Sequence, residues 1–442
     1  MMPSSESVGF LSRRILCVMA IGLVARFILA GAMTYTYDVH SWALIISNFE
    51  SGNGLYDVAG YNYAPPWGYV LGTFAMIAET FGLNNFGIRS TDFLFVEDYK
   101  WFFSAYVPSV SFALAVECML AVFDILAGYA IYTLILKRTS DVGKAERGFA
   151  LWFLCPFVIV VSCVGGMFDS ISALLTCICI YFVLRDRYWL AGMMIGMAAS
   201  FKLFPGLLVF VLAGYAINAA TDKRTGISNV SKAAVGAAAV FLIMFMPQIM
   251  DGTFAECFSF MTSRASSDTG SGLSSIERTG TLVFYIALLS VSVIIGVIMR
   301  RYRGNDRESM LMVLTFVNLA LLFLYPATPQ YVLLLTPFLI MFMLDDRRYI
   351  LPFRILCVGT TMFVLAASAA DLMSLSEFTN IVSTTWVADA IRWTQSGLIG
   401  NICLMDILYY CGGILQYVGT LSILVVIFKK VHGRRECTCE AL

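Results

Sequence analysis

The stretch Ile15–Met33, ILCVMAIGLVARFILAGAM, decides the fold class, because it carries a single charge, Arg26, in an otherwise apolar run. About 20 such residues span the hydrocarbon core of a bilayer as a helix. It lacks a convincing A-x-A-like cleavage site and leads into further apolar runs, so the segment reads as a retained span rather than a removed leader. Outward from it the pattern repeats, with apolar runs near 65–82, 104–136, 148–164, 170–184, 188–201, 203–218, 231–249, 281–299, 310–325, 329–344, 350–369 and 404–428. The composition agrees: 59% of the 442 residues are hydrophobic and 13% charged. Soluble domains carry roughly 25% charge, and mean hydropathy here is +0.81. The expectation is an all-α polytopic membrane protein.

Formal net charge is zero, which leaves no basic footprint for nucleic acid. Most of the twelve cysteines lie inside apolar runs, where they act as small hydrophobes, and the lone Cys437-x-Cys439 is a weak metal signal. Basic clusters orient the spans, because Lys and Arg concentrate on the cytoplasmic side. Placing seven clusters inside (13–14, 137–147, 185–187, 223–232, 300–307, 347–354 and 429–435) accounts for 22 of the 29 Lys and Arg. Residue 35 is then outside and Lys137 inside, so an odd number of crossings separates them. The simplest solution makes 104–136 the crossing and leaves 65–82 re-entrant or against the outer leaflet, giving twelve crossings with both termini cytoplasmic. If 65–82 crosses, another short span must lie before residue 137. Three long outside segments result, at 35–103, 250–280 and 370–403.

Polar residues at the membrane boundary each need a reason to be there. Asp38 stands at the outer end of the first span, as a solvated helix-end acid or as a group facing something presented by the outer leaflet. Asp169 follows Gly165-Gly166-Met167-Phe168 and is either a helix cap or a site residue. Lys202, in Ser200-Phe201-Lys202-Leu203-Phe204-Pro205, is placed either to snorkel or to meet a lipid phosphate. Arg264 and Arg278 in the second outside segment are loop charges or further phosphate contacts. Glu117 and Asp124, seven residues apart on one helix face, form a proton path or pair with a buried donor such as Arg26. No Walker loop, HExxH, GxSxG or dinucleotide fingerprint occurs, and His40 and His432 are too few for a histidine-rich metal site.

In order along the chain, Asp38, Gly52 to Tyr56, Tyr61 to Pro66, Glu117 through Asp124, Pro156, Gly165 to Asp169, Ala191 to Gly196, Phe201 to Pro205 and Tyr325 to Tyr331 resemble motifs of the integral-membrane GT-C glycosyltransferases. The similarity is to the mannosyltransferase-like branch that uses polyprenyl-phosphate sugars, and it covers roughly residues 10–345. It implies a GT-C-like bundle of about 12 to 13 transmembrane helices. A catalytic core would occupy 1–345, with a long first extracytoplasmic loop at 35–103 carrying juxtamembrane helices. C-terminal helices would occupy 346–442, with an outer loop at 370–403 and a cytoplasmic tail.

The resemblance further implies transfer of a hexose, mannose in this branch, from polyprenyl phosphate to a lipid or glycan acceptor on the outer face. Asp38 would be the general base, and Lys202 with Arg264 or Arg278 would bind donor phosphate. Asp169, His40, Tyr63 and Tyr331 would contact sugar or acceptor. Related enzymes often show Asp-x-Asp where this chain has Asp38-Val39-His40, so a metal-independent mechanism is expected and no cofactor is assigned. The competing reading is a lipid-linked glycan flippase or secondary transporter, for which Glu117 and Asp124 speak; a degenerate assembly subunit is a third. Compact loops and a bare basic tail suggest a bacterial plasma membrane.

Overall fold

The computed structural model describes residues 12–57, 61, 63–80, 88–90, 106–258, 274–321, 329–367, 371–379 and 381–439. Helix α1 (Arg13–Ala32) starts where the Ser12 hydroxyl accepts from the Ile15 amide, satisfying one of the orphan donors of the first turn. One face of it is wholly apolar and open, with Ile28 65% exposed, as expected for a helix whose solvent is hydrocarbon. The chain then turns through an extended link, where Thr34 bridges Asp371 and the Tyr35 amide donates to the Val164 carbonyl, into α2 (Thr36–Glu50). This juxtamembrane helix begins at Thr36, so Asp38 sits in its first turn at the positive end of the helix dipole. Trp42, Ala43, Ile45 and Ile46 bury its inner face.

Helix α3 (Pro65–Thr80) opens on the paired prolines, which lack the amides a first turn leaves orphaned. The Tyr61 hydroxyl locks that start, accepting from the Gly68 amide and donating to the Ala64 carbonyl. A two-stranded ribbon, β1 (Ile88–Ser90) with β2 (Tyr106–Pro108), leads to the long α4 (Val110–Thr139). Next come α5 (Val142–Phe153), α6 (Pro156–Ile159) running into a π-helical turn at Val160–Val164, and α7 (Asp169–Val183). They are followed by α8 (Tyr188–Phe201), α9 (Val209–Ala219), α10 (Lys223–Asp251), α11 (Ser274–Arg301), α12 (Arg307–Ala320), α13 (Val332–Asp345) and α14 (Ile350–Ala367). The chain ends through α15 (Met373–Thr379), α16 (Thr384–Gln395), the hairpin β3 (Gly397–Ile399) with β4 (Ile402–Cys403), and α17 (Leu404–Cys439).

Close helix contacts follow small residues, as they must where lipid offers no hydrophobic drive between helices. Gly192 and Gly196 of α8 lie directly on Ala233 and Ala237 of α10; a side chain at Gly192 would strike the Ala233 carbonyl.

Among the described residues, six helices are long and apolar enough to cross a bilayer, and the bent pair Val142–Phe153 with Pro156–Val164, kinked by 50°, makes a seventh. Four more apolar helices fall short of a full span: Asp169–Val183, Tyr188–Phe201, Phe204–Ala219 and Pro329–Asp345. The chain is therefore an all-α polytopic membrane protein, and the count of twelve or thirteen crossings goes beyond what helix length supports.

Ion pairs tie distant basic clusters together. Arg14 meets Glu146, Lys137 meets Glu308, Arg138 meets Asp345 and Lys430 meets Asp346. These lie at the end of α1 and α4 remote from Asp38, about 30 Å along α1 at 1.5 Å per residue.

Candidate active site

The turn Gly165–Phe168 exists because Gly166 adopts φ +61, a conformation glycine takes at no steric cost. A side chain there would also meet Val39 Cγ2 at 2.6 Å. The turn delivers Asp169 to the first residue of α7, fully buried. Lys202, at the end of α8, is 7% exposed and places its ammonium 3.5 Å from Asp169 Oδ2. Among the described residues, neither Asp169 oxygen accepts a hydrogen bond beyond this ion pair. Three rings surround the ammonium: Phe168 at 4.5 Å, Tyr63 at 5.1 Å and Tyr331 at 5.4 Å from their centroids. Such a cage holds a cation by the ring quadrupoles and keeps water from it.

Asp38 joins this group from α2. It is 9% exposed, and burial pushes its carboxyl up to about 7; the nearby Lys202 charge pulls it down and that of Asp169 pushes it up. An indole locks α2 to the turn, Trp42 Nε1 donating to the Gly166 carbonyl at 3.0 Å. Beneath lies an aromatic floor in which Trp67 stacks on Phe168 at 4.4 Å and meets Trp42 edge-on at 5.4 Å. The expected site residues Asp38, Asp169, Lys202, Tyr63 and Tyr331 thus converge, although they are spread over some three hundred residues of chain.

His40 is placed differently. Its Nδ1 lies 2.8 Å from the Thr36 carbonyl, its ring stacks on Tyr106, and burial lowers its pKa, so it stays a neutral packing group at the edge of the site. Arg264 lies outside the described residues. The backbone of Arg278 belongs to α11, and its side chain lies outside them too. Phe168, Trp42 and Trp67 were not singled out as contacts to the cation or its turn. Their signal, aromatics beside the motif glycines and prolines, was present but is shared by any membrane-interface segment. Among the described residues no three His, Cys, Asp or Glu gather as metal ligands.

A cavity of about 610 Å³ adjoins the cation. Lys202, Tyr63 and Tyr331 line it together with Ala237, Phe241 and Phe245 of α10. Its rim includes Leu203, Val209 and Leu242, which are 49%, 41% and 53% exposed. These belong to the lipid-facing surface, so the cavity opens sideways toward hydrocarbon. One buried cation at the head of an apolar groove is matched to an anionic head on a long apolar chain.

Glu117 and Asp124 do not line this site. They close around Arg26, which donates to Asp124 Oδ2 from Nε and Nη2 at 3.1 and 2.9 Å and lies 3.6 Å from Glu117 Oε1. All three side chains are buried. Of the two readings offered by the sequence, the structure supplies the ion pair.

Comparison with known proteins accords with this geometry. The chain is 26% identical to GPI mannosyltransferase 1 of Gibberella zeae over 155 residues, which is 35% of this chain and 36% of that protein. It is also 26% identical to GPI mannosyltransferase 1 of Saccharomyces cerevisiae over 144 residues, 27% of this chain and 35% of that protein. The matches thus span about a third of those relatives, which are fungal and lend nothing to a bacterial location. The profile of glycosyltransferase family 87 matches residues 103–326, half of the chain, and takes in the Gly165–Asp169 turn and Lys202. With the motif order, the buried lysine and the membrane helices all in agreement, the chain belongs to glycosyltransferase family 87.

Proposed function

We propose that the protein transfers a hexose, mannose in the first instance, from a polyprenyl-phosphate donor to a hydroxyl of a lipid or glycan acceptor at the extracytoplasmic face. The observation that carries this reading is Lys202, a buried cation at the head of a groove open to lipid. The polyprenyl chain lies along α10, and its phosphate meets the ammonium. Asp38 takes the proton of the acceptor hydroxyl as that oxygen attacks the anomeric carbon. The bond from anomeric carbon to phosphate oxygen breaks, its electron pair leaves with polyprenyl phosphate, and the configuration inverts.

The departing phosphate gains a negative charge, which Lys202 stabilises in a site where water does not screen it. A base whose pKa lies near 7 is matched to its task at neutral pH. Asp169 holds the ammonium in place, and its unfilled oxygens accept hydroxyl groups of the sugar. The extracytoplasmic assignment rests on the basic clusters drawn together at the other end of α1. Added to the seven longer candidates, the four shorter apolar helices and α12 (Arg307–Ala320) make a twelve-crossing arrangement with both termini inside.

The test is turnover of radiolabelled polyprenyl-phosphate mannose by the purified protein in lipid, with lipid and glycan extracts as acceptors. Wild type is expected to move label to acceptor, while Asp38→Asn binds donor without transferring it. Undiminished transfer by Asp38→Asn would remove the base assignment, and a requirement for a water-soluble nucleotide sugar would remove the donor class.

A further inference from the structure

We propose that Asp124 is a positioning residue for the outer site: its carboxylate clamps both ends of the turn that presents Asp169 to Lys202. This rests on the reading of Lys202 as the donor-phosphate group.

The turn Gly165–Phe168 is flanked by two serines, Ser162 in the π-helical turn before it and Ser170 in the first turn of α7 after it. Ser162 Oγ lies 2.9 Å from Asp124 Oδ2, and Ser170 Oγ lies 2.5 Å from Oδ1. One oxygen therefore serves each end. Ser162 also reaches the Val158 carbonyl at 3.0 Å with its single proton, and the charged acceptor is the stronger of the two.

Asp124 is itself immobile. Arg26 grips Oδ2 and is anchored in turn on the Phe153 carbonyl at 2.8 Å, and Trp152 Nε1 donates to the Asp124 backbone carbonyl at 2.9 Å. Backbone bonds within the turn, such as Gly166 N to Ser162 O at 3.0 Å, fix its shape. They do not fix its place against α4, which the two serine bonds to Asp124 set; α7 meets α8 directly, with Ser172 Oγ donating to the Ala198 carbonyl at 3.4 Å. The same turn holds Asp38 through the Trp42 indole. A displacement at Asp124 is thereby passed to the base and to the phosphate-binding cation together, and catalysis is sensitive to such shifts.

The test uses the full-length protein in lipid with Ser170→Ala, Ser162→Ala, Ser170→Thr and a control, Thr176→Val. Thr176 is a buried hydroxyl on the same helix that, among the described residues, bonds to the Ser172 carbonyl alone. The first readout is the rate at which a small acylating reagent modifies the Lys202 amine, followed by mass spectrometry, which requires no substrate. It should rise severalfold in Ser170→Ala and Ser162→Ala and stay unchanged in Thr176→Val and Ser170→Thr. Equal rates in Ser170→Ala and Thr176→Val overturn the proposal.

The second readout is transfer from polyprenyl-phosphate mannose, where Ser170→Ala should raise the donor KM about tenfold, the scale of a lost hydrogen bond to a charged group. A merely structural serine would lower the active fraction, hence apparent kcat, and leave KM in place; that result also overturns the proposal. Should Ser170→Ala fail to accumulate, Ser162→Ala carries both readouts. If wild type shows no transfer while Lys202 reactivity responds as expected, the positioning role stands and the functional reading falls.

Discussion

Two places in the molecule set one cation between two carboxylates: Arg26 with Asp124 and Glu117, and Lys202 with Asp169 and Asp38. In the first, Asp124 accepts from Arg26, Ser162 and Ser170, so its charge is saturated by the protein. In the second, among the described residues, Asp169 accepts no hydrogen bond beyond the Lys202 ion pair, and Lys202 faces rings and a cavity besides that one carboxylate. The planar guanidinium suits the saturated site, since its fork matches a carboxylate and its charge never leaves; the ammonium, a compact point charge, suits the unsaturated one. The difference separates a structural ion cluster from one that is complete only with a ligand bound. Glu117 is the intermediate case, held by Arg26 at 3.6 Å with no hydrogen bond of its own.

Substitutions on the two sides should separate cleanly. The largest effect expected is Asp38→Asn, with transfer falling by roughly 10²–10⁴ while donor binding persists, the range for losing a positioned base. Lys202→Gln should cost about 10²–10³ in kcat/KM, judged by the loss of one group stabilising transition-state charge. Asp38→Asn should change thermal unfolding in detergent little, and Lys202→Gln, which strips one buried carboxylate of its ion pair, should cost less than the loss of a cation that serves two. Arg26→Ala should do the reverse. It leaves two buried acids uncompensated and should destabilise the fold by about 3–5 kcal/mol, read as a lowered unfolding midpoint and poor accumulation. Equal stability losses at Arg26 and Lys202 would dissolve the distinction.

The smallest effect is the most discriminating. With Asp38 raised to about 7, its base form is lost as pH falls, so kcat/KM should drop on the acid side of an inflection near 7. Lys202 holds that value down and Asp169 holds it up. Lys202→Gln should therefore move the inflection to higher pH and Asp169→Asn to lower pH, both measurable from residual activity. An inflection that ignores both substitutions would mean that Asp38 is not the titrating group.

Much of this was legible in the chain before folding. Ile15–Met33 and its successors announced membrane helices through length and apolarity alone. Asp38, Asp169 and Lys202 stood out because ionisable groups at a membrane boundary are costly and few. What stayed hidden was pairing at a distance. Trp42 and Gly166 are 124 residues apart, and Thr34 and Asp371 farther still, with nothing local to tell either partner of the other; for Arg26 and Asp124, 98 apart, the scarcity of buried donors offered the pair without deciding it. Hydropathy also counts apolar residues without seeing where a helix stops. Tyr188–Phe201 and Phe204–Ala219 therefore read like the longer runs although each helix is shorter than the six long candidate spans among the described residues. His40 illustrates the converse, a residue of the right type beside the base that the fold spends on Thr36 and Tyr106.

The sideways mouth formed by Leu203, Val209 and Leu242 sets the unit in which the ligand must be counted. A chain that enters from hydrocarbon arrives by diffusion in two dimensions, so the quantity that saturates the site is its mole fraction among the surrounding lipids. Diluting the donor with inert phospholipid should slow the reaction at constant bulk concentration. Adding more vesicles of the same composition should raise the bulk figure and leave each enzyme molecule working at an unchanged rate.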